Sequence, residues 1–218
     1  MSGEHRKYRS TVGFTDLLFN LLVGFVFLFV IAFILINPPV KKSDAPKKAE
    51  FLLVVEWDPE INDDIDTWIK DPMGVTVSFT NKEGGLMNLE KDDLGSANDS
   101  YRNPKTGKIE IIPINREVVT IRGTHKGRYQ VAIHVYGRGF KYQRDDKGKI
   151  LKAEYNQGPE KVRVTLIKLN PSYSEVYAKE IVYEVRGQQL TAFNFELDAN
   201  GNVISVDEIR NNIIMRNR

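Results

Sequence analysis

The chain has 218 residues, 41% of them hydrophobic and 28% charged, with a formal net charge of +2 and no cysteine. Thiol catalysis is therefore excluded, and no nucleic-acid partner is expected from so small a charge. The averages resemble those of a soluble protein only because the apolar residues are gathered in one block.

That block follows a short basic tail, residues 1–13, which carries Arg6, Lys7 and Arg9. From Leu17 to Ile36 the chain reads LLFNLLVGFVFLFVIAFILI, with no charge and Asn20 as its one polar residue. About 20 apolar residues at ~1.5 Å each match a hydrocarbon core of ~30 Å. A backbone in lipid must satisfy its own hydrogen bonds, so residues 14–36 are predicted to be a transmembrane helix. The run is longer than a signal-peptide core and ends in Asn37-Pro38-Pro39, which predicts an anchor over a cleaved signal. Lys41, Lys42, Lys47 and Lys48 follow it, so basic residues flank both ends and do not set the orientation. Residues 37–49, rich in Pro and Lys, read as an extended linker.

Beyond the linker, β-branched and aromatic runs lie between turn residues. They are Glu50–Trp57, Gly74–Thr80, Glu117–Arg122, Arg128–Tyr136, Lys161–Leu169, Glu175–Val185 and Thr191–Leu197. Several alternate with period two: Val131, Ile133 and Val135 lie opposite Gln130, Ala132 and His134. Turns are expected at 81–85, Arg122-Gly123, 145–148, Asn170-Pro171 and Asn200-Gly201. The expected architecture is a single N-terminal transmembrane α-helix plus an all-β soluble domain over 50–205, an antiparallel β-sandwich or barrel. A short helix or tail is expected over 206–218. No Gly-x-Ser-x-Gly, P-loop or His-Glu-x-x-His spacing occurs, and His134 reads as an ordinary strand histidine, so no enzyme is expected.

Two features stand out. The first is Asp16 at the helix entrance, in GFTDLLFNLLVGF. One reading makes Thr15 or Asp16 a helix cap. The other makes Asp16 a buried acid that carries an ion against a partner helix. Asn20 lies at i+4, so Asp16, Asn20, Val23, Gly24 and Phe27 share one face, and Gly24 permits close helix approach. Thr15, Asn20 and Gly24 are the candidate interface.

A basic tail followed by a helix with Phe14, Asp16, Leu17, Leu21, Leu22 and Phe25 resembles the B subunits of ion-driven membrane motors. These include the flagellar stator B protein, TolR, ExbD and the Zorya B subunit. The resemblance covers about 30 residues of the chain. It implies that Asp16 binds and releases a proton or sodium ion, and that a B-subunit homodimer sits inside a multi-helix A subunit, a pentamer. It further implies a bacterial inner-membrane protein with its N-terminus cytoplasmic and its β-domain periplasmic, docking a target outside the membrane. No segment resembles the peptidoglycan-binding domain of flagellar stators. A membrane-tethered binding protein without ion flux is the alternative.

The second feature is an acidic run, Trp57–Gly74, followed by 81–85 and 90–93. Its Asp-x-Asp-x-Trp-x-x-Asp-Pro-x-Gly string resembles β-sandwich domains of bacterial surface and secreted proteins. Asp64 and Asp66 project from one side of a strand. With Asp71, Asp92 and Asp93 they form a candidate oxygen-ligand set for a hard cation such as Ca²⁺, although not with EF-hand spacing.

Overall fold

A computed structural model describes residues 12–36, 48–95, 100–112, 114–146 and 148–214, with only the backbone of 34, 36 and 111. The basic tail up to residue 11, most of the expected linker (37–47) and residues 215–218 lie outside the described residues. Two units are present, 1–46 and 47–218.

The first unit holds α1, Val12–Ile36, 25 residues long. At ~1.5 Å per residue it extends about 37 Å, enough to span a bilayer core of ~30 Å. Its stretch Val12–Phe33 is long and apolar enough to cross a membrane. Apolar residues surround the helix beyond Asn20, a pattern suited to burial on every side, while Asp16 and Asn20 share one face of its first half.

The second unit is a sandwich of two antiparallel sheets with no closed barrel. The six-stranded sheet has the order β13-β12-β1-β8-β5-β4. These strands are β1 (Phe51–Trp57), β4 (Glu83–Gly84), β5 (Met87–Lys91), β8 (Arg116–Ile121), β12 (Glu160–Lys168) and β13 (Ser174–Tyr183). The five-stranded sheet has the order β15-β14-β9-β2-β3. It is built from β2 (Asp64–Lys70), β3 (Thr76–Val77), β9 (Gly127–Gly137), β14 (Gln189–Leu197) and β15 (Val203–Asp207). Two separate hairpins complete the unit, β6–β7 (Ser100–Arg102, Ile109–Ile111) and β10–β11 (Phe140–Arg144, Ile150–Tyr155).

Period-two alternation creates the core. β1 is central in its sheet, and Phe51, Leu53, Val55 and Trp57 point inward while Leu52, Val54 and Glu56 are half-buried on the other face. Opposite them, Ile65, Ile69, Val131, Ile133, Phe193 and Phe195 close the same hydrophobic cluster. Tyr129 stacks on Phe195 with ring centroids 4.8 Å apart. Each such side chain, fully buried, contributes about 1.5–3 kcal/mol.

The C-terminal segment departs from expectation. β15 occupies 203–207, and 208–214 contains no helix. Instead the segment straps the outer face of the five-stranded sheet, where Ile213 packs with Trp68 and Ala132. Side chains hold it there: Asn194 Nδ2 donates to Ile209 O (2.8 Å) and Asn211 Nδ2 to Val131 O (3.1 Å). Ile209 O accepts from Asn194 Nδ2 and Asn211 N donates to Thr191 Oγ1 in place of helical partners, so the apolar spacing that suggested a helix serves an extended chain.

A second polar centre ties the loops at one end. Asp63 is fully buried. It accepts from Gly139 N (2.8 Å), Tyr183 Oη (2.9 Å) and Asn156 Nδ2 (3.2 Å), and Arg138 Nε lies 2.8 Å away. Gly139 is required here by close approach, because a Cβ would stand 2.0 Å from Asn62 O.

Candidate functional site

In the helix, Asp16 is the fifth residue of α1, past the first turn. Neither Thr15 nor Asp16 is therefore an N-cap, since both lie inside the helical segment that starts at Val12. Asp16 is the only charged residue in α1, and Asn20 and Gly24 follow it at i+4 and i+8. A Cβ at Gly24 would meet open space, so nothing among the described residues requires glycine there.

In the β-domain, the N-terminal half of β2 supplies the other site. β2 pairs with β9 along its length, but on its other side β3 meets only Ile69 and Lys70. The backbone N–H of Thr67 is thus left without a strand partner, and Glu117 Oε2 from β8 accepts it at 2.6 Å. Glu117 is fully buried, and its Oε1 has no hydrogen-bond partner.

Other acids converge on this edge. Carboxylate oxygens of Asp66, Asp92 and Glu117 all lie within 4.8 Å of one another. Asp92 and Asp93 come from the turn after β5, which bulges between Leu89 and Lys91 where it pairs with β8. Lys82 Nζ stands 2.8 Å from Asp92 Oδ2. Asp93 is fully buried; its Oδ2 accepts from Lys91 Nζ (2.7 Å) and Arg116 N (3.0 Å), while its Oδ1 has no partner. His134, cross-strand from Asp66, places Nδ1 3.1 Å from Asp66 Oδ2.

The electrostatics follow from crowding like charges in a desolvated place. Burial raises the Asp64 carboxyl to about 7, and Asp66, Asp92 and Asp93 push the same way while His134 opposes them. Burial, then Asp92, raises Asp66 to about 7. Burial pushes Glu117 well up, against the hydrogen bond from Thr67 and reinforced by Asp66 and Asp92. Burial lowers His134, with Asp64 opposing.

Of the five acids expected to share a site, the fold brings Asp64, Asp66, Asp92 and Asp93 together and places Asp71 elsewhere. Asp71 lies past the far end of β2 and closes the turn to β3, accepting from Val75 N at 2.8 Å and lying 3.8 Å from His125. The sequence reading missed Glu117 and the pairing role of His134. The signal for Glu117 was its phase, because it shares parity with the inward-facing Val119 and Ile121. The donor set is all carboxylate oxygen with one imidazole at its margin, suited to holding a hard cation or sharing protons. Compared with known proteins, the chain matches no family model, no curated protein and no solved structure.

Proposed function

We propose that this chain is the B subunit of a proton- or sodium-driven membrane motor. Asp16 is its ion-carrying residue, and the β-domain docks a target outside the inner membrane. The observation that carries the reading is the placement of Asp16: a lone carboxylate in an otherwise apolar span, inside the helix instead of capping it. Intramembrane acids are costly and face a bundle interior or an aqueous path. The face shared with Asn20 and Gly24 gives a partner helix a polar group to bond and a notch to approach. In this reading the N-terminus is cytoplasmic, the β-domain is periplasmic, and two copies of α1 stand within a ring of a multi-helix A subunit. The coupling ion binds Asp16 on one side and leaves on the other as the ring moves.

The test is co-expression and reconstitution of the full chain with the products of its neighbouring genes, followed by ion flux and complex yield. Asp16→Asn keeps size and hydrogen bonding but removes the charge; the complex should assemble and flux should vanish. Asn20→Ala should be milder. An assembled Asp16→Asn complex with undiminished flux, or a chain that purifies only as a monomer beside its neighbour, refutes the motor reading and leaves a tethered binding module.

A further inference from the structure

We infer that the carboxylates of Asp66, Asp92 and Glu117 form the seat of a divalent cation of the Ca²⁺ class, with Asp64 and Asp93 beside it, and that this cation clasps the free edge of β2 to β8 and the turn after β5. The inference is independent of the helix and of the motor reading.

Geometry comes first. Ca²⁺ binds oxygens at about 2.3–2.6 Å, so two ligands on one ion stand at most about 5 Å apart. The three carboxylate oxygens, all within 4.8 Å of one another, satisfy that limit together. Mg²⁺ demands near-ideal octahedral geometry at about 2.0–2.1 Å and keeps several waters, which suits a cage of protein carboxylates less well. The donors are hard oxygens throughout, which disfavours softer metals.

Glu117 points to a ligand independently of the crowding. A fully buried carboxylate ordinarily spends both oxygens on donors, because an unsatisfied buried polar atom is costly and a charged one more so. Here Oε2 is used by Thr67 N, while Oε1 is buried with no donor, on a carboxylate that stands with those of Asp66 and Asp92. Asp93 repeats the pattern, with Oδ2 held by Lys91 and Arg116 N and Oδ1 without a donor. Oδ1 of Asp64 is a third such atom. Buried acceptors without donors, on carboxylates gathered at one edge, are what a bound cation resolves.

The placement also explains why an acid stands on an inward phase. β2 ends its pairing with β3 at Ile69, and without a bridge its first half has no neighbour on that side. Glu117 caps the exposed amide of Thr67, and a cation shared by Glu117, Asp66 and Asp92 extends the bridge from one sheet to the other. Lys82 on Asp92 and Lys91 on Asp93 neutralise part of the charge of the group.

The chain contains two tryptophans, Trp57 and Trp68, both buried in the β-domain, so tryptophan fluorescence of the full chain in detergent reports on this domain alone. Chelator-treated full chain is titrated with CaCl₂ by calorimetry, and its thermal unfolding is followed by that fluorescence. Saturation at about 100 times Kd should raise the unfolding midpoint by about 5–10 °C. Asp66→Asn and Glu117→Gln should each weaken binding by about tenfold or more, while Asp71→Asn should bind as the wild type does. Glu117→Gln retains an acceptor for Thr67 N. Wild-type protein showing neither heat nor a shifted midpoint in about 5 mM Ca²⁺, above the range of weak extracellular sites, overturns the inference. So does wild-type affinity in both Asp66→Asn and Glu117→Gln, or loss of binding in Asp71→Asn.

Discussion

Removing the Asp63 side chain should be among the most damaging single changes in the β-domain. Asp63 is fully buried and Arg138, whose Nε lies 2.8 Å away, has a side chain only 4% exposed. In Asp63→Ala the guanidinium keeps the carbonyls of Glu184 and Gly158 but loses its counter-charge, and Tyr183 Oη, Asn156 Nδ2 and Gly139 N lose their acceptor. Breaking a buried ion pair by deleting one partner costs about 3–5 kcal/mol. Orphaned neutral donors would raise this further, although water entering the vacated space offsets part of it. The expected loss is therefore about 3–5 kcal/mol. Urea unfolding followed by tryptophan fluorescence measures it, and Trp57 is well placed because its Nε1 donates to the backbone O of Asp63 at 3.1 Å. The double variant Asp63→Ala with Arg138→Leu should be less damaged than the sum of the singles, since the unpaired charge is gone. A loss below about 1 kcal/mol, the range of exposed pairs, would refute the argument from burial.

Residues 48–218 expressed without α1 should fold as a soluble β-protein, because the hydrophobic cluster is built wholly from that unit; circular dichroism dominated by helix, or insolubility without detergent, would count against this. Gly139→Ala should cost at least about 1–3 kcal/mol by overpacking, as its Cβ meets the backbone O of Asn62 at 2.0 Å; an unchanged urea midpoint would contradict it. In chelator, stability should fall as pH rises from about 4 to 7. Asp64 and Asp66, both raised to about 7, stay protonated in the folded state while the unfolded chain ionises first. Glu90 and Asp207, both lowered to about 2, act in the opposite sense between there and the ordinary carboxylate range, and His134, lowered by burial, offsets part of the fall near its ordinary value. Melting temperatures that rise between pH 5 and pH 7 in chelator would contradict this sign.

What could be read in advance depended on whether a segment is buried on one face. β1 and β9 each keep one face in the core, and their alternation announced them. The β10–β11 hairpin went unseen because Ile150–Tyr155 is exposed at every position, so no burial period marks it. β2 is covered on both faces along Ile65–Ile69, since the C-terminal strap buries Trp68 from outside. The same strap carries Ile209, Ile213 and Ile214, whose spacing imitates a helix while Asn194 of β14 and the strap's own Asn211 hold it extended. Asp64, Asp66, Asp92 and Asp93 were legible as a group from their local density. Glu117 arrives from β8, and only sheet topology brings it to them.

The position of β1 has a consequence for how the chain is made. It is the first strand to leave the ribosome and the one that ends between β8 and β12, whose residues come much later. At about 5–20 residues per second, the roughly 100 residues separating β1 from β12 take about 5–20 s to synthesise. Throughout that interval the apolar face of β1 lacks one flank and the sandwich cannot close. The helix, complete by Ile36, needs no later residue to form its hydrogen bonds. The helix can therefore form before the β-domain folds, by the order of the sequence alone, and the β-domain follows as an open chain.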